Sequence, residues 1–164
     1  MSEGGAAPGA LRLRAVDRDD LAVVAAMLQD ALVSLTDMQY LADDRRFVLV
    51  ANRFRWENCD ENGACDQYER VHCAIAFEGV ERVERKGLGP ASLDGFGALL
   101  TIEVAENAVL LVFAGGGRIR LGISRLDCHI SDVGEPWPTQ WRPRHPEDAG
   151  PAPETDPSGG RRTS

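Results

Sequence analysis

"ALLTIEVAENAVLLVFAGGGRIRLGIS", Ala98 to Ser124, is the stretch that decides the fold. Its three apolar runs alternate with a period of two and are parted only by Glu106-Asn107 and by Gly115 to Gly117, so they read as three strands. Links this short join antiparallel neighbours, because a parallel crossover takes about a dozen residues or more. The stretch is a β-meander, and the sheet around it is expected to be mostly antiparallel.

The glycine run also invites comparison with a phosphate cradle. A phosphate-binding loop reads G-x-x-x-x-G-K-[ST] and opens a helix, so that amide groups and the helix dipole face the anion. Here Arg118 follows at once and the next residues are strand-like, so Gly115 to Gly117 are read as hairpin residues with positive φ. "GLGPAS" starts a dinucleotide fingerprint at Gly87 and Gly89 but puts Ser92 where the third glycine belongs, with no βαβ unit around it. "GISRL" matches half of a nucleophile elbow at Gly122 and Ser124, then places Leu126 at the last glycine. No cofactor and no catalytic residue is expected from these motifs.

Downstream, Ile119, Leu121 and Ile123 share one parity, whereas Leu126, Cys128 and Ile130 share the other. Keeping one oily face on the core then requires a bulge or sharp bend near Ser124 to Arg125. Upstream, "LGPASLDGFG" is a loop, and "MQYL", "RRFVLVANRFRWE" and "YERVHCAIAFEGVERVERKG" are strands with polar breaks. "LRLRAV" near the start alternates as an edge strand would. Between them Asp17 can cap a helix with Asp20 in its first turn, and Leu21, Val24, Ala25, Leu28, Ala31 and Leu32 recur at helical spacing. The expected class is α+β: a mostly antiparallel curved sheet of about seven to eight strands, rich in meander and able to curl toward a partial barrel, with one N-terminal amphipathic helix packed on it. Residues 11–142 make a single domain between a disordered N-terminus, residues 1–10, and a disordered proline-rich tail, residues 143–164.

The chain has 164 residues, a net charge of -8 and a pI near 4.9. A dedicated nucleic-acid binder needs a basic face to displace counterions, so no nucleic-acid partner is expected. No stretch approaches the ~20 apolar residues of a membrane span, and nothing at the start resembles a signal peptide, so a soluble cytoplasmic protein with reduced thiols is expected.

Metal ligation is the first chemistry to weigh, because Cys59, Cys65, His72 and Cys73 lie close together. Their spacing is not that of a zinc knuckle, and in a strand His72 and Cys73 point to opposite faces. Cys73 shares parity with Val71, Ile75 and Phe77 and reads as a core thiol. Cys59, Cys65 and His72 stay as weak metal candidates. A disulfide across "DENGA" is sterically possible but not expected in a reducing compartment. The acidic run Glu57, Asp60, Glu61, Asp66 and Glu69 lies between strands, unlike a calcium loop between helices, and reads as solvated. The histidines are scattered, with His72 and His129 on strands and His145 at the edge of the tail.

The runs "LQDALVSLTDMQYLADDRRFVLVANRFRWE", "RVHCAIAFEGVERVERKGL" and "VFAGGGRIRLGISRLDCHISDVGEPW" resemble the bacterial family known only as domain of unknown function 2948. The resemblance covers about Leu11 to Arg142 and rests most on Asn52-Arg53-Phe54, Trp56-Glu57 and the late "DVGEPW"; it implies no activity or catalytic residue. Two function classes follow. The leading one is a non-catalytic interaction or regulatory module that displays Arg53, Arg55, Arg118 and Arg120 on strand faces, with Arg53 and Arg55 side by side either as an anchor for a carboxylate or phosphate of a partner, another protein, or as a solvated face. The alternative is a small enzyme or metal-dependent protein whose Cys and His residues converge in the fold. Trp137 and Trp141 follow the final strand in a proline-rich segment, where they either dock on the domain or bind a partner; docking is expected.

Overall fold

A computed structural model of the chain describes residues 10–62, 64–88 and 95–140. The expected disordered tail, nearly all of the expected disordered N-terminus, most of the "LGPASLDGFG" loop, and Trp141 lie outside the described residues.

In chain order the elements are β1 (Arg12–Ala15), α1 (Arg18–Met27), β2 (Leu32–Ser34), β3 (Gln39–Leu41), β4 (Arg46–Phe54), β5 (Glu69–Glu78), β6 (Val80–Lys86), β7 (Phe96–Ala105), β8 (Ala108–Phe113), β9 (Arg118–Ile123) and β10 (Cys128–Pro138). The class is the expected one, with ten strands among the described residues rather than seven or eight. They form one sheet in the order β1-β10-β5-β4-β2-β7-β8-β9-β6, with β3 alongside β4, and every pairing is antiparallel. β7, β8 and β9 are the meander of the opening stretch. Its glycine corner is a hairpin loop: Gly115 and Gly116 carry φ of 87° and 96°, and the Phe113 N–H donates to the Gly117 carbonyl at 2.8 Å.

The sheet must curl, because β5 passes into β6 through Gly79 alone although the two lie far apart in the sheet order. Gly79 takes a positive φ of 71°, which a side chain would resist, and its carbonyl accepts from the Ser124 N–H at 2.9 Å. The expected bend near Ser124 and Arg125 sits against it. That bend is a full break: β9 ends at Ile123 and β10 starts at Cys128, so the chain changes neighbours as well as parity.

Two expectations about element bounds are corrected. The helix does begin at Asp17, whose Oδ1 accepts from the Asp20 N–H at 2.8 Å, but it stops at Met27 and Leu32 opens a strand. The Asp30 N–H donates to the Leu99 carbonyl, and the Leu99 N–H to that of Ala31, drawing the backbone into the sheet. Leu28 and Ala31 are still buried, so the apolar stripe was sound while its helical continuation was not. Phe96 and Gly97, read as the end of the loop, already belong to β7. Inside, Phe47, Phe77 and Phe113 join Leu21, Val24 and Leu28 of the helix segment in one apolar cluster.

Candidate functional site

Arg53 and Arg55 were expected on a strand face open to a partner, and the structure corrects this. Phe47, Leu49 and Ala51 of β4 turn inward, and Arg53, on the same parity, follows them to 0% exposure. A buried guanidinium is tolerated only if its charge and donors are met. Here all five N–H groups are used. Nε and Nη2 donate to the two carboxylate oxygens of Asp132 on β10 at 2.9 and 2.8 Å. Nη1 and Nη2 donate to Glu57 at 2.9 and 2.7 Å, and Nη1 also reaches the Phe54 carbonyl at 3.3 Å. Asp132 in turn accepts from the Leu11 N–H at 2.8 Å, which ties the start of β1 to the same point. Burial opposes the charge on Arg53, but Glu57 and Asp132 more than offset it and raise its pKa further. Burial likewise pushes Glu57 up, and Arg53 outweighs that to leave its carboxyl below the usual range.

Arg55 is drawn into the same network. Its Nη1 donates to Glu69 at 2.7 Å and its Nε to Glu57 at 3.4 Å, while the Asn58 amide donates to Glu69 at 3.2 Å. The acidic run is thus only partly a solvated loop, since Glu57 and Glu69 fasten two arginines. Arg53 is fully committed inside the protein and Arg55 is engaged through Nε and Nη1; the cluster clamps β4, β10 and the turn Trp56–Asn58.

The thiols also differ from expectation. Cys59 and Cys65 are joined in a disulfide, while Cys73 and Cys128 are free and buried. The loop brings the pair together: the Asp60 N–H donates to the Ala64 carbonyl, and Asp60 Oδ1 accepts from the Asn62 and Ala64 amides. Two of the three weak metal candidates are thereby bonded to each other. The third, His72, lies on the opposite face of β5 from Cys73, its ring 4.7 Å from that of Trp137. Among the described residues no three His, Cys, Asp or Glu side chains come together to hold a metal. Trp137 lies on the sheet at the end of β10, opposite Arg70 of β5 and half-buried. His129 meets Asp127, whose Oδ1 is 3.1 Å from Nε2, but Asp127 also accepts from Arg14 at 3.0 and 3.3 Å. The Arg14 hydrogen bonds hold its carboxyl below the usual carboxylate range.

What remains of the arginine-face reading lies on the meander. Arg118 and Arg120 project from β9 into a groove of about 360 Å³, with Leu110 of β8 and Glu84, Arg85 and Lys86 of β6. Arg120 donates to Glu84 at 3.3 Å. Arg118 stands directly opposite Lys86 in the ladder, a like-charge pair that costs stability unless something negative joins it. Arg85, Lys86 and Arg118 have no ion-pair partner among the described residues. The sequence pointed to Arg118 and Arg120 but missed Arg85 and Lys86, because β6 and β9 are separated by the length of β7 and β8.

Among the described residues no helix is long and apolar enough to cross a membrane. Neither a curated protein nor a solved structure matches the chain. A family model described as "Protein of unknown function (DUF2948)" matches residues 11–145, and the chain belongs to that family.

Proposed function

We propose that the protein is a non-catalytic interaction module that holds carboxylates of an acidic segment of a partner protein in the basic groove of β6, β8 and β9. The observation that carries this reading is the Arg118–Lys86 pair, two cations held face to face and open to solvent with no internal counterion among the described residues. Arg120 adds a fork already half engaged by Glu84, and Leu110 an apolar floor. Carboxylates seated there would convert a repulsive row into a paired one. The chain's overall negative charge supports a local acidic peptide over a long polyanion, whose remaining charges would be repelled.

The setting proposed is the cytoplasm. The Cys59–Cys65 bond speaks against it, since thiols are kept reduced there, and alkylation trapping in cells followed by mass spectrometry decides the point.

The test is fluorescence anisotropy with a fluorescein-labelled octaglutamate peptide. Saturable binding that weakens roughly tenfold or more in Lys86→Glu and Arg118→Glu, and falls with added salt, is the expected result. Absence of saturable binding, or tighter binding of a single-stranded oligonucleotide of equal charge, would overturn the proposal.

A further inference from the structure

We infer that β6 is a self-complementary edge through which two copies of this chain pair antiparallel to make one continuous sheet. β6 ends the sheet order, and among the described residues β9 is its only strand neighbour. An edge strand exposes unpaired amides and carbonyls, and proteins commonly guard such edges with charges. A guard against self-association works best with one sign of charge. β6 instead reads Val80-Glu81-Arg82-Val83-Glu84-Arg85-Lys86, with signs that alternate around Val83.

A two-fold axis perpendicular to the sheet keeps each side chain on its own face, so the axis must lie between a residue and its own copy. Centred on Val83, it sets Arg82 of each copy opposite Glu84 of the other, twice by symmetry. Centred on Arg82, Glu84 or Arg85, it sets that charge against itself. Within the regular part of β6, Arg82 to Lys86, only the Val83 register is free of like charges at its centre.

The local structure suits this register. From Arg82 to Lys86 the pairing with β9 is regular, and the bulge falls at the start of the strand, between Val80 and Arg82. Arg82 and Glu84 lie on the face turned away from the core, their side chains 70% and 46% exposed and 3.2 Å apart within the chain. Each can therefore turn to the partner's opposite charge without leaving the core exposed. Self-association through this edge does not depend on what the basic groove binds, and it places two such grooves on the same face of one sheet.

The experiment is sedimentation velocity of the full chain across micromolar to submillimolar concentrations, with Arg82→Glu and Glu84→Arg examined singly and mixed. The wild type is expected to dimerise. Each variant alone opposes like charges twice and should dimerise roughly tenfold or more weakly. An equimolar mixture of the two opposes only unlike charges and should recover a heterodimer, which a merely structural role of either residue would not produce. Circular dichroism melting of each variant checks that both remain folded. A wild type that is monomeric throughout, single variants that still dimerise, or a mixture that does not recover would each overturn the inference.

Discussion

Replacing Arg53 by Met should cost far more than replacing any surface arginine, and the size of the loss follows from the site. Met fills a similar apolar volume but provides none of the five donors, leaving Asp132, whose side chain is 2% exposed, as a charge without a counterion. Removing one partner of a buried ion pair typically costs about 3 to 5 kcal/mol, whereas an exposed pair is worth about 0 to 1 kcal/mol. With a urea slope of about 2 kcal/mol/M, the midpoint should fall by roughly 2 M. Glu57 contributes less to this loss because it is 30% exposed and can be hydrated. A second substitution, Asp132→Leu in the Arg53→Met background, removes the stranded charge and should recover part of the loss. The pH response separates the charge effect from packing. In the wild type the Glu57 carboxyl is held below its unfolded value, so its stabilisation is present above the unfolded pKa and is lost as pH falls through the folded one. In Arg53→Met the burial that raises it loses its largest opponent, and only a backbone hydrogen bond and Arg55 still lower it, so acidification should narrow the gap between variant and wild type. A loss below about 1 kcal/mol, or a gap independent of pH, would refute the claim that this arginine neutralises a buried carboxylate.

Asp127→Asn should flatten the acid limb of stability, measured as the urea midpoint against pH. Arg14 hydrogen bonding depresses the folded pKa of this carboxyl, so its contribution is present above the unfolded value of about 3.9 and disappears as pH falls through the folded value. An acid limb identical to that of the wild type would discount the Arg14 pair. The native protein should resist alkylation at both free cysteines at mildly alkaline pH, because burial pushes the Cys73 and Cys128 thiols up to about 12. Mild reduction should then expose Cys59 and Cys65 first, read by intact mass; rapid native labelling of Cys73 or Cys128 would contradict the buried placement.

The meander was legible because its evidence is local: alternation and short turns lie within one stretch of sequence. The end of the helix was not, since Leu28 and Ala31 satisfy helical spacing yet are buried by a chain already turning into β2. What stopped the helix is the pair of backbone bonds with Leu99, some seventy residues later in the chain. The curl was half legible. The parity change after Ile123 required a bend, but that the bend carries the chain from beside β8 to beside β5 depends on a strand order no local pattern records.

The surroundings of the candidate arginines were legible or not for one physical reason, which is that a charge is read correctly only together with its counter-charge. Arg53 and Arg55 share parity, so the alternation that grouped them was right. It also held the signal that was missed: Phe47, Leu49 and Ala51 precede Arg53 on the same parity, and a strand that buries three consecutive members of one face has reason to bury the fourth. An arginine in that position demands a buried carboxylate. Asp132 qualifies by the same logic, lying on the parity of Cys128 and Ile130 in β10, and the two meet through strands 79 residues apart in sequence. Arg118 and Arg120 could be placed by parity on the outer face opposite Ile119 and Leu121, and there they are. Their surroundings could not be read the same way, because Lys86 and Glu84 enter only through the β6–β9 ladder. One arginine is paired with Glu84 and the other is set against a lysine, so the neighbour rather than the residue type separates a paired charge from an opposed one.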